Sequence, residues 1–230
     1  MPWTILETQP TSAEANMQLD AHLLEHLGAQ ENPILHLYEW EKPSVTFGHF
    51  VKPETLLNLE SAQKLGLDLA RRPTGGGVVF HLWDLAFSVL IPAKSSLFST
   101  GTLDNYNLVN QVVKDAVAEM IGKQEMELIP EDATYQDPDC TRFCMARPTK
   151  YDVVLNGKKI AGAAQRKTKD GFLHQGTIAL IMPEMELLTA VLPSEAVRLA
   201  MEQTTMPLVR NLHEGRKQLC ELLKKHFVRL

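Results

Sequence analysis

The sequence of 230 residues has few cysteines, no strong excess of charge and no long apolar run. Three cysteines are a small and odd number, which argues against the disulfide framework of a small secreted domain. The longest apolar stretches fall far short of the roughly 20 residues that a membrane-spanning helix needs. The first residues show neither the basic nor the apolar segment of a signal peptide. We therefore expect a cytoplasmic protein that has no membrane partner.

The charge balance disfavours another class of partner. The chain carries 23 Lys and Arg against 28 Asp and Glu, a net charge of −5, which is unusual for a general nucleic-acid binder. A chain of this length buries enough surface to fold without a structural metal, and we expect none. The Gly-Lys-Ser/Thr triplet of a nucleotide-binding P-loop is missing, so that class of enzyme is excluded.

Hydrophobic periodicity predicts short strands mixed with helices. Amphipathic spacing and capping residues predict helices over 12–28, 53–65, 103–123, 184–191, 194–203 and 213–227. Alternating or β-branched runs predict strands over 3–7, 34–40, 44–50, 78–91, 151–160 and 177–182, with a loop over 130–148. The expected fold class is therefore α+β, with a mixed, largely antiparallel sheet flanked by helices and a helical C-terminal tail.

The densest chemical signal is a glycine loop between two apolar strands. Gly75, Gly76 and Gly77 follow Arg71-Arg72-Pro73-Thr74 and precede a strand that ends at His81. Three glycines cost backbone entropy, and what they offer is exposed backbone N–H groups close to a ligand. The two arginines suit a phosphate or a carboxylate. The alternative is a flexible hairpin loop with solvated arginines.

His81 lies at the end of an apolar strand, where a histidine is typical of a satisfied core residue as well as of a catalyst. Asp84 follows within the same apolar run. Because an unpaired buried carboxylate costs several kcal/mol, Asp84 is expected to pair with Arg71, Arg72 or His81.

A second signal is Cys144, which lies in a basic loop with Arg142, Arg147 and Lys150. Neighbouring cations lower the pKa of a thiol and so activate it as a nucleophile. An inert cysteine in a variable loop is the alternative. The other two cysteines are weaker candidates, because Cys140 has acidic neighbours and Cys220 falls at core spacing in a predicted helix.

The strand after the Asn156-Gly157 turn carries Lys158 and Lys159, which must point to opposite faces. The inward lysine needs an anionic partner, which suggests a substrate carboxylate, a phosphate or a developing oxyanion. His174, which stands just before the last predicted strand, is a weak signal by itself.

Five segments, taken together, resemble the family of lipoate-protein ligase A and the cysteine-type octanoyltransferases, which has the biotin/lipoyl protein ligase catalytic fold. They are 16–20, 44–48, 71–81, 157–166 and 174–178. The resemblance covers about residues 12–182. It implies one catalytic domain over 1–230, with C-terminal helices over 183–230 and no accessory domain. The invariant lysine of the family falls on Lys159.

Two chemistries compete within that family. Ligases activate free lipoate with ATP and Mg, whereas cysteine-type transferases take octanoate from an acyl carrier protein and need no cofactor. Three features favour the transferase. Cys144 stands before Pro148 and Tyr151 at the spacing of the transferase nucleophile, residues 81–88 resemble the transferase pattern, and few residues remain for an accessory domain.

The resemblance also implies roles for individual residues. Cys144, Lys159 and His81 would be catalytic, with His81 or His174 taking the proton of the acceptor lysine. The substrate-binding residues implied are Arg71, Arg72, Thr74, Gly75, Gly76, Gly77, Gly162, Ala164, His174, Gly176 and Thr177. In a ligase, the arginines and glycines would instead cradle the phosphate of an acyl-adenylate, which Lys159 would contact.

The implied partners are the acyl carrier protein as donor, lipoate or octanoate as the acyl group, and lipoyl-domain proteins as acceptors. The glycine cleavage H protein and the E2 subunit of 2-oxoacid dehydrogenases are such acceptors. Octanoyl amidotransfer between lipoyl proteins and non-catalytic binding of a lipoyl domain remain as further alternatives.

Overall fold

The computed structural model describes residues 2–122, 126–131 and 137–230. Within these ranges the chain forms ten strands and six α-helices. The strands are β1 (Thr4–Glu7), β2 (Ile34–Leu37), β3 (Ser44–Phe47), β4 (Asp68–Arg71), β5 (Val78–His81), β6 (Asp84–Pro92), β7 (Met126–Leu128), β8 (Val153–Leu155), β9 (Lys158–Thr168) and β10 (Gly171–Ala179). The helices are α1 (Ala13–Glu25), α2 (Leu59–Lys64), α3 (Thr102–Ile121), α4 (Met185–Val191), α5 (Glu195–Thr204) and α6 (Leu212–Phe227).

The strands of the described ranges form two sheets. The larger has the order β1-β2-β6-β10-β9-β8-β7, and its neighbours are antiparallel except for the parallel pair β1 and β2. The smaller has the order β4-β3-β5, with β3 parallel to β4 and antiparallel to β5. The predicted α+β class and the mixed, largely antiparallel sheet are confirmed.

Helices α3 and α6 cover one face of the larger sheet. Val109, Val113 and Val117 recur every fourth residue of α3 and are fully buried, together with Leu223 and Phe227 of α6. This spacing places them on one side of each helix, where burial of apolar surface holds the helices against the strands.

A second core lies between the smaller sheet and helices α4 and α5. The loop around Cys144 contributes Phe143 and Ala146 to this core, where they pack with Val197 and Met201 of α5. The apolar neighbours of Cys144 therefore fix the loop that presents the thiol.

The helix predictions agree with the structure apart from one segment. The helix predicted over 103–123 is α3, which ends where Gly122 adopts a left-handed conformation with φ +76°; residue 123 lies outside the described residues. The three C-terminal helices are confirmed. The helix predicted over 53–65 is instead a 3₁₀ turn, Pro53–Thr55, followed by α2.

Two of the predicted strand regions take part in both sheets. The strands predicted over 34–40 and 44–50 are β2 and β3, of which β2 belongs to the larger sheet and β3 to the smaller one. The run 78–91 is two strands, β5 and β6, in different sheets. Leu82 breaks it with φ +104°, where the Asp84 carboxylate accepts the N–H of Leu82.

The hairpin predicted at Asn156-Gly157 is confirmed, with φ values of +52° and +74° at the two turn residues. Strand β10 begins at Gly171 and is longer than the strand predicted over 177–182. The predicted loop 130–148 contains two 3₁₀ turns, Asp139–Arg142 and Cys144–Ala146, while its residues 132–136 lie outside the described part of the chain. No helix in the described ranges is both long and apolar enough to cross a membrane.

Candidate active site

A cavity of about 140 Å³ lies where helix α1, the smaller sheet, the Cys144 loop and strands β9 and β10 meet. Its wall contains both apolar and charged side chains. The lining residues that bear on the chemistry are Met17, Tyr38, Trp40, Thr46, Arg72, Gly76, Gly77, Val79, His81, Cys144, Lys159, Gly162, Ala164, Gln175, Gly176 and Thr177.

Lys159 is 1% exposed, although its neighbour Lys158 faces solvent, as the alternation of β9 predicts. Its Nζ donates to the carbonyl oxygens of Cys144 at 2.7 Å and Arg147 at 3.2 Å. The same atom lies 2.6 Å from a carboxylate oxygen of Asp152 and 3.6 Å from the Cys144 Sγ. The lysine is thus held on several sides with its ammonium beside the thiol.

Asp152 was not among the predicted site residues, and it supplies the anionic partner that the inward lysine was expected to find in a substrate. Its carboxylate also accepts the backbone N–H and the hydroxyl of Thr149. Burial lowers the pKa of Lys159, but Asp152 and Cys144 outweigh that effect and leave it raised, so the amine is charged. The available sequence signal was the hairpin itself, which brings the start of β8 back beside β9.

Cys144 is the cysteine of the described chain that lines the cavity, and it is partly exposed. Gly162 makes room for it: a Cβ at that position would lie 2.4 Å from Cε of Lys159 and 3.1 Å from the Cys144 Sγ. Burial raises the pKa of Cys140, with a further contribution from Asp137 and Asp139. Burial also raises the pKa of Cys220 to about 11.

The glycine loop, residues 74–77, borders the cavity with Gly76 and Gly77, whereas Gly75 is outside the lining. Gly76 has φ +79°. A Cβ on Gly77 would lie 1.9 Å from the carbonyl oxygen of Arg142, so this glycine allows the loop to pack against the backbone of the cysteine loop. The need for small residues therefore comes as much from loop-to-loop packing as from contact with a ligand.

Both arginines before the loop donate to the protein itself. Arg72 is buried, and its guanidinium donates to Thr46 Oγ1 and to the carbonyl oxygens of Gly75 and Gly77. Arg71 is outside the cavity lining; it donates to the carbonyl oxygens of His49 and Val51. These two side chains hold loops in place.

His81 lines the cavity but uses both ring nitrogens within the protein. Its Nδ1 lies 2.7 Å from the Asp84 carboxylate, and its Nε2 lies 2.7 Å from Thr46 Oγ1. Burial raises the pKa of Asp84, but His81 and Thr177 outweigh it and leave it lowered. The same Thr46 hydroxyl also accepts from Arg72, so His81 and Arg72 meet at one side chain. The predicted pairing of Asp84 with His81 is confirmed.

His174 is fully buried and is absent from the cavity lining, because it points to the α3 side of β10 near Phe87 and Tyr106. Burial lowers its pKa to about 3. The neighbouring Gly176 and Thr177 do border the cavity, as does Ala164 of β9. Thr74 lies behind the wall, where its hydroxyl donates to Gln175. No cluster of three metal-ligating side chains is found among the described residues.

The chain belongs to the family described as lipoyl protein ligase A/B catalytic domain, whose model matches residues 12–223. The resemblance drawn from the five segments is thus confirmed. Among its relatives is octanoyltransferase LipM of Anoxybacillus flavithermus, which is 30% identical over 207 residues, covering 87% of this chain and 74% of the relative. Octanoyltransferase LipM of Bacillus subtilis is 28% identical over 229 residues, covering 97% of this chain and 79% of the relative.

Solved structures show the same fold. A lipoate-protein ligase A bound with ATP aligns with a TM-score of 0.74 at 24% identity, covering 99% of this chain and 86% of that one. A bi-partite lipoate protein ligase, described with its E2 lipoyl domain, from Thermoplasma acidophilum aligns with a TM-score of 0.68 at 23% identity, covering 99% and 84%.

Proposed function

We propose that this protein transfers an octanoyl group from an acyl carrier protein to one lysine of a lipoyl domain, through a thioester on Cys144. The observation that carries the proposal is the placement of a buried, charged lysine 3.6 Å from a cavity-lining thiol. A nucleophile beside a fixed positive charge suits acyl transfer, where negative charge develops on a carbonyl oxygen. The relatives named octanoyltransferase LipM support the same chemistry.

In the first half of the reaction, Sγ of Cys144 attacks the thioester carbonyl of the donor. A new C–S bond forms to the enzyme and the C–S bond to the donor thiol breaks, and that thiol leaves with the proton that Cys144 loses. The positive charge of the Lys159 ammonium lies beside the thiol, where it stabilises the negative charge that develops on the carbonyl oxygen. Asp152 and the two backbone carbonyls keep this ammonium oriented.

In the second half, the amine of the acceptor lysine attacks the acyl carbon on Cys144. The C–N bond forms, the C–S bond breaks, and the Cys144 sulfur takes the proton released by the amine. We assign this proton to the leaving sulfur because Nε2 of His81 is occupied by Thr46 and His174 lies outside the cavity. His81 then orients Thr46, which accepts from Arg72, and Arg72 in turn holds the glycine loop.

The acyl tail would lie along the apolar part of the cavity wall, against Met17, Trp40, Val79 and the glycine loop. Each CH₂ group taken out of water contributes about 0.8 kcal/mol, so an eight-carbon chain gains several kcal/mol of binding free energy.

The arginines support the transferase over the ligase. A ligase of the predicted kind would use Arg71 and Arg72 on the phosphate of an adenylate. Here their donors are directed to backbone carbonyls and to Thr46, so a phosphate would have to displace the bonds that hold two loops. The donor set therefore fits the role of loop anchor better than that of phosphate cradle.

The test is transfer from octanoyl carrier protein to a lipoyl domain without nucleotide, followed by mass spectrometry of the enzyme. We expect a gain of one octanoyl group on Cys144, and loss of both acylation and transfer in Cys144→Ala. Cys220→Ala, which lies outside the cavity, is the matched control and should retain activity.

Other outcomes would contradict the proposal. A requirement for ATP and free lipoate, with release of pyrophosphate and tolerance of Cys144→Ala, would indicate a ligase. Binding of a lipoyl domain without either reaction would indicate a non-catalytic relative.

A further inference from the structure

We propose that Asp20 and Gln175 form a positioning relay that holds the glycine loop against the acyl-binding cavity; this inference rests on the proposed acyl transfer. Asp20 is a positioning residue, since it lies behind the cavity wall, and Gln175 is the member that reaches the wall. The relay would determine how tightly the acyl donor binds and how well its chain length is discriminated.

The relay begins at a carboxylate that is fully shielded from solvent. Asp20, on α1, is 0% exposed, and no Lys or Arg within the described residues is paired with it. One of its oxygens lies 2.9 Å from Nδ1 of His36, and the other accepts from Ser88 Oγ and, at 2.6 Å, from Nε2 of Gln175. A buried carboxylate is tolerated only when its oxygens accept hydrogen bonds, so these contacts fix its position.

The bond to Asp20 decides which way the Gln175 amide faces. Because the carboxylate can only accept, the NH₂ group of Gln175 must point to Asp20, and its carbonyl oxygen must point to Thr74. The Thr74 hydroxyl donates to that oxygen at 2.6 Å. The polar atoms of this wall residue are thus engaged within the protein, which leaves the cavity wall suited to an alkyl chain.

The relay anchors one end of the glycine loop and Arg72 anchors the other. The Thr74 hydroxyl is held by Gln175, and its carbonyl accepts the N–H of His49. Arg72 donates to the carbonyls of Gly75 and Gly77. Between these anchors Gly76 faces the cavity, close to Ala164 of β9. Loss of the Thr74 anchor would allow the three glycines to adopt several backbone conformations. The cavity wall that Gly76 and Gly77 form would then vary in shape.

The test compares Asp20→Asn with wild type in steady-state transfer from octanoyl and butanoyl carrier protein. The amide at position 20 carries no charge and has one acceptor oxygen in place of two, so carboxylate oxygens no longer serve both His36 and the Gln175 amide, and the relay is weakened. We expect the donor KM to rise about tenfold with kcat changed less than twofold, and the preference for octanoyl over butanoyl to fall several-fold.

Reversing the polarity of the pair should restore it. In Asp20→Asn/Gln175→Glu, the amide at position 20 donates and the carboxylate at position 175 accepts from it and from Thr74. We expect recovery of most of the donor KM and of the chain-length preference, although each single variant is impaired. If Asp20→Asn acted only by destabilising the fold, adding Gln175→Glu would not restore the donor KM.

Two further variants keep the test decisive. Thr74→Val removes the anchoring hydroxyl with little change of shape and should reproduce the KM effect even where Asp20→Asn folds poorly. Asp68→Asn is the matched control, because that carboxylate accepts from Ala13 at the start of α1 and has no contact with the relay. It should lower stability without changing donor KM.

Amide hydrogen exchange of residues 74–77 separates this inference from the proposed function. We expect faster exchange in Asp20→Asn and Thr74→Val and recovery in the double variant, whether or not the protein transfers octanoate. Unchanged exchange and unchanged donor KM in both single variants would overturn the relay. Absent transfer in wild type, with altered exchange in the variants, would overturn the proposed function alone.

Discussion

At the scale of single residues, the pairing of Lys159 with Asp152 joins stability and activity. A substitution on one side leaves the other charge buried and unpaired, since both side chains are nearly inaccessible. Lys159→Ala is expected to abolish transfer and to lower the free energy of unfolding by about 3 to 5 kcal/mol. Urea unfolding and an octanoyl-transfer assay measure the two effects.

A second substitution, Asp152→Asn in the Lys159→Ala background, separates the effect on stability from the effect on transfer. Removing the stranded carboxylate should recover a substantial part of the lost stability, while transfer stays absent because the ammonium is still missing. Recovery of transfer in this double variant would show that the lysine has only a structural role.

His174 gives the folded state a dependence on pH. The unfolded chain binds a proton at this histidine near the ordinary pKa of 6.5, whereas burial keeps the folded chain from doing so until about pH 3. The folded state therefore has its full stability above pH 6.5 and loses about 1.4 kcal/mol per pH unit as pH falls below it. Urea unfolding between pH 7 and 5 should show a shallower loss in His174→Phe, which retains the aromatic packing.

The control for that experiment is the exposed His213→Gln, which removes an imidazole without disturbing the core. A His174→Phe profile that follows wild type would show that His174 binds its proton equally well in both states.

At the scale of elements, the glycine loop and the cysteine loop are fitted to each other. Gly77→Ala drives a Cβ into the Arg142 backbone, whereas a Cβ on Gly75 would have no atom within 4 Å. Because a displacement of about 1 Å can cost on the order of 100-fold in rate, Gly77→Ala should slow acylation of Cys144 by that amount. Gly75→Ala should be near wild type. Pre-steady-state acylation measured by mass spectrometry distinguishes the two, and equal rates would contradict the packing argument.

The helices and strands show which parts of the fold could be predicted from the sequence. Periodicity located α3 and the C-terminal helices, and the Asn156-Gly157 pair located the hairpin that carries Lys159, because both signals are local. The break at Leu82 was not predicted, since it comes from the hydrogen bonds of the Asp84 side chain with His81 and with the N–H of Leu82, within a run that is otherwise mostly apolar.

The residues of the candidate site also fall into two groups, those that the sequence predicts and those that it does not. Cys144, Lys159 and the glycine loop stood out by residue type and spacing. Gln175 did not, because its partners Asp20 and Thr74 lie 155 and 101 residues away. Asp152 lies close to Lys159 in the sequence, but no local pattern shows that its side chain turns inward to pair with that lysine. The assignment of β2 and β3 to separate sheets is likewise a matter of long-range pairing that no local pattern reports.

At the scale of the whole molecule, the two hydrophobic cores stabilise different parts of the structure. The core beneath α3 and α6 stabilises the larger sheet, and the core beneath α4 and α5 holds the cysteine loop. Phe227→Ala, at a fully buried position of α6, is expected to lower the free energy of unfolding by about 3 to 5 kcal/mol. Transfer by the folded fraction should be unchanged, and the exposed Val228→Ala is the control. A loss of kcat at full folding would show that α6 also shapes the site.

The resident carboxylate of Asp152 has a consequence for inhibition by free fatty acids. Asp152 places a resident negative charge beside Lys159, and this charge repels the carboxylate of an incoming octanoate, whereas an uncharged thioester brings no charge into the site. The site should thus bind the octanoyl thioester in preference to free octanoate. Added octanoate should therefore leave the rate of transfer almost unaffected. Strong competition by octanoate would mean that its carboxylate displaces Asp152 from the Lys159 ammonium.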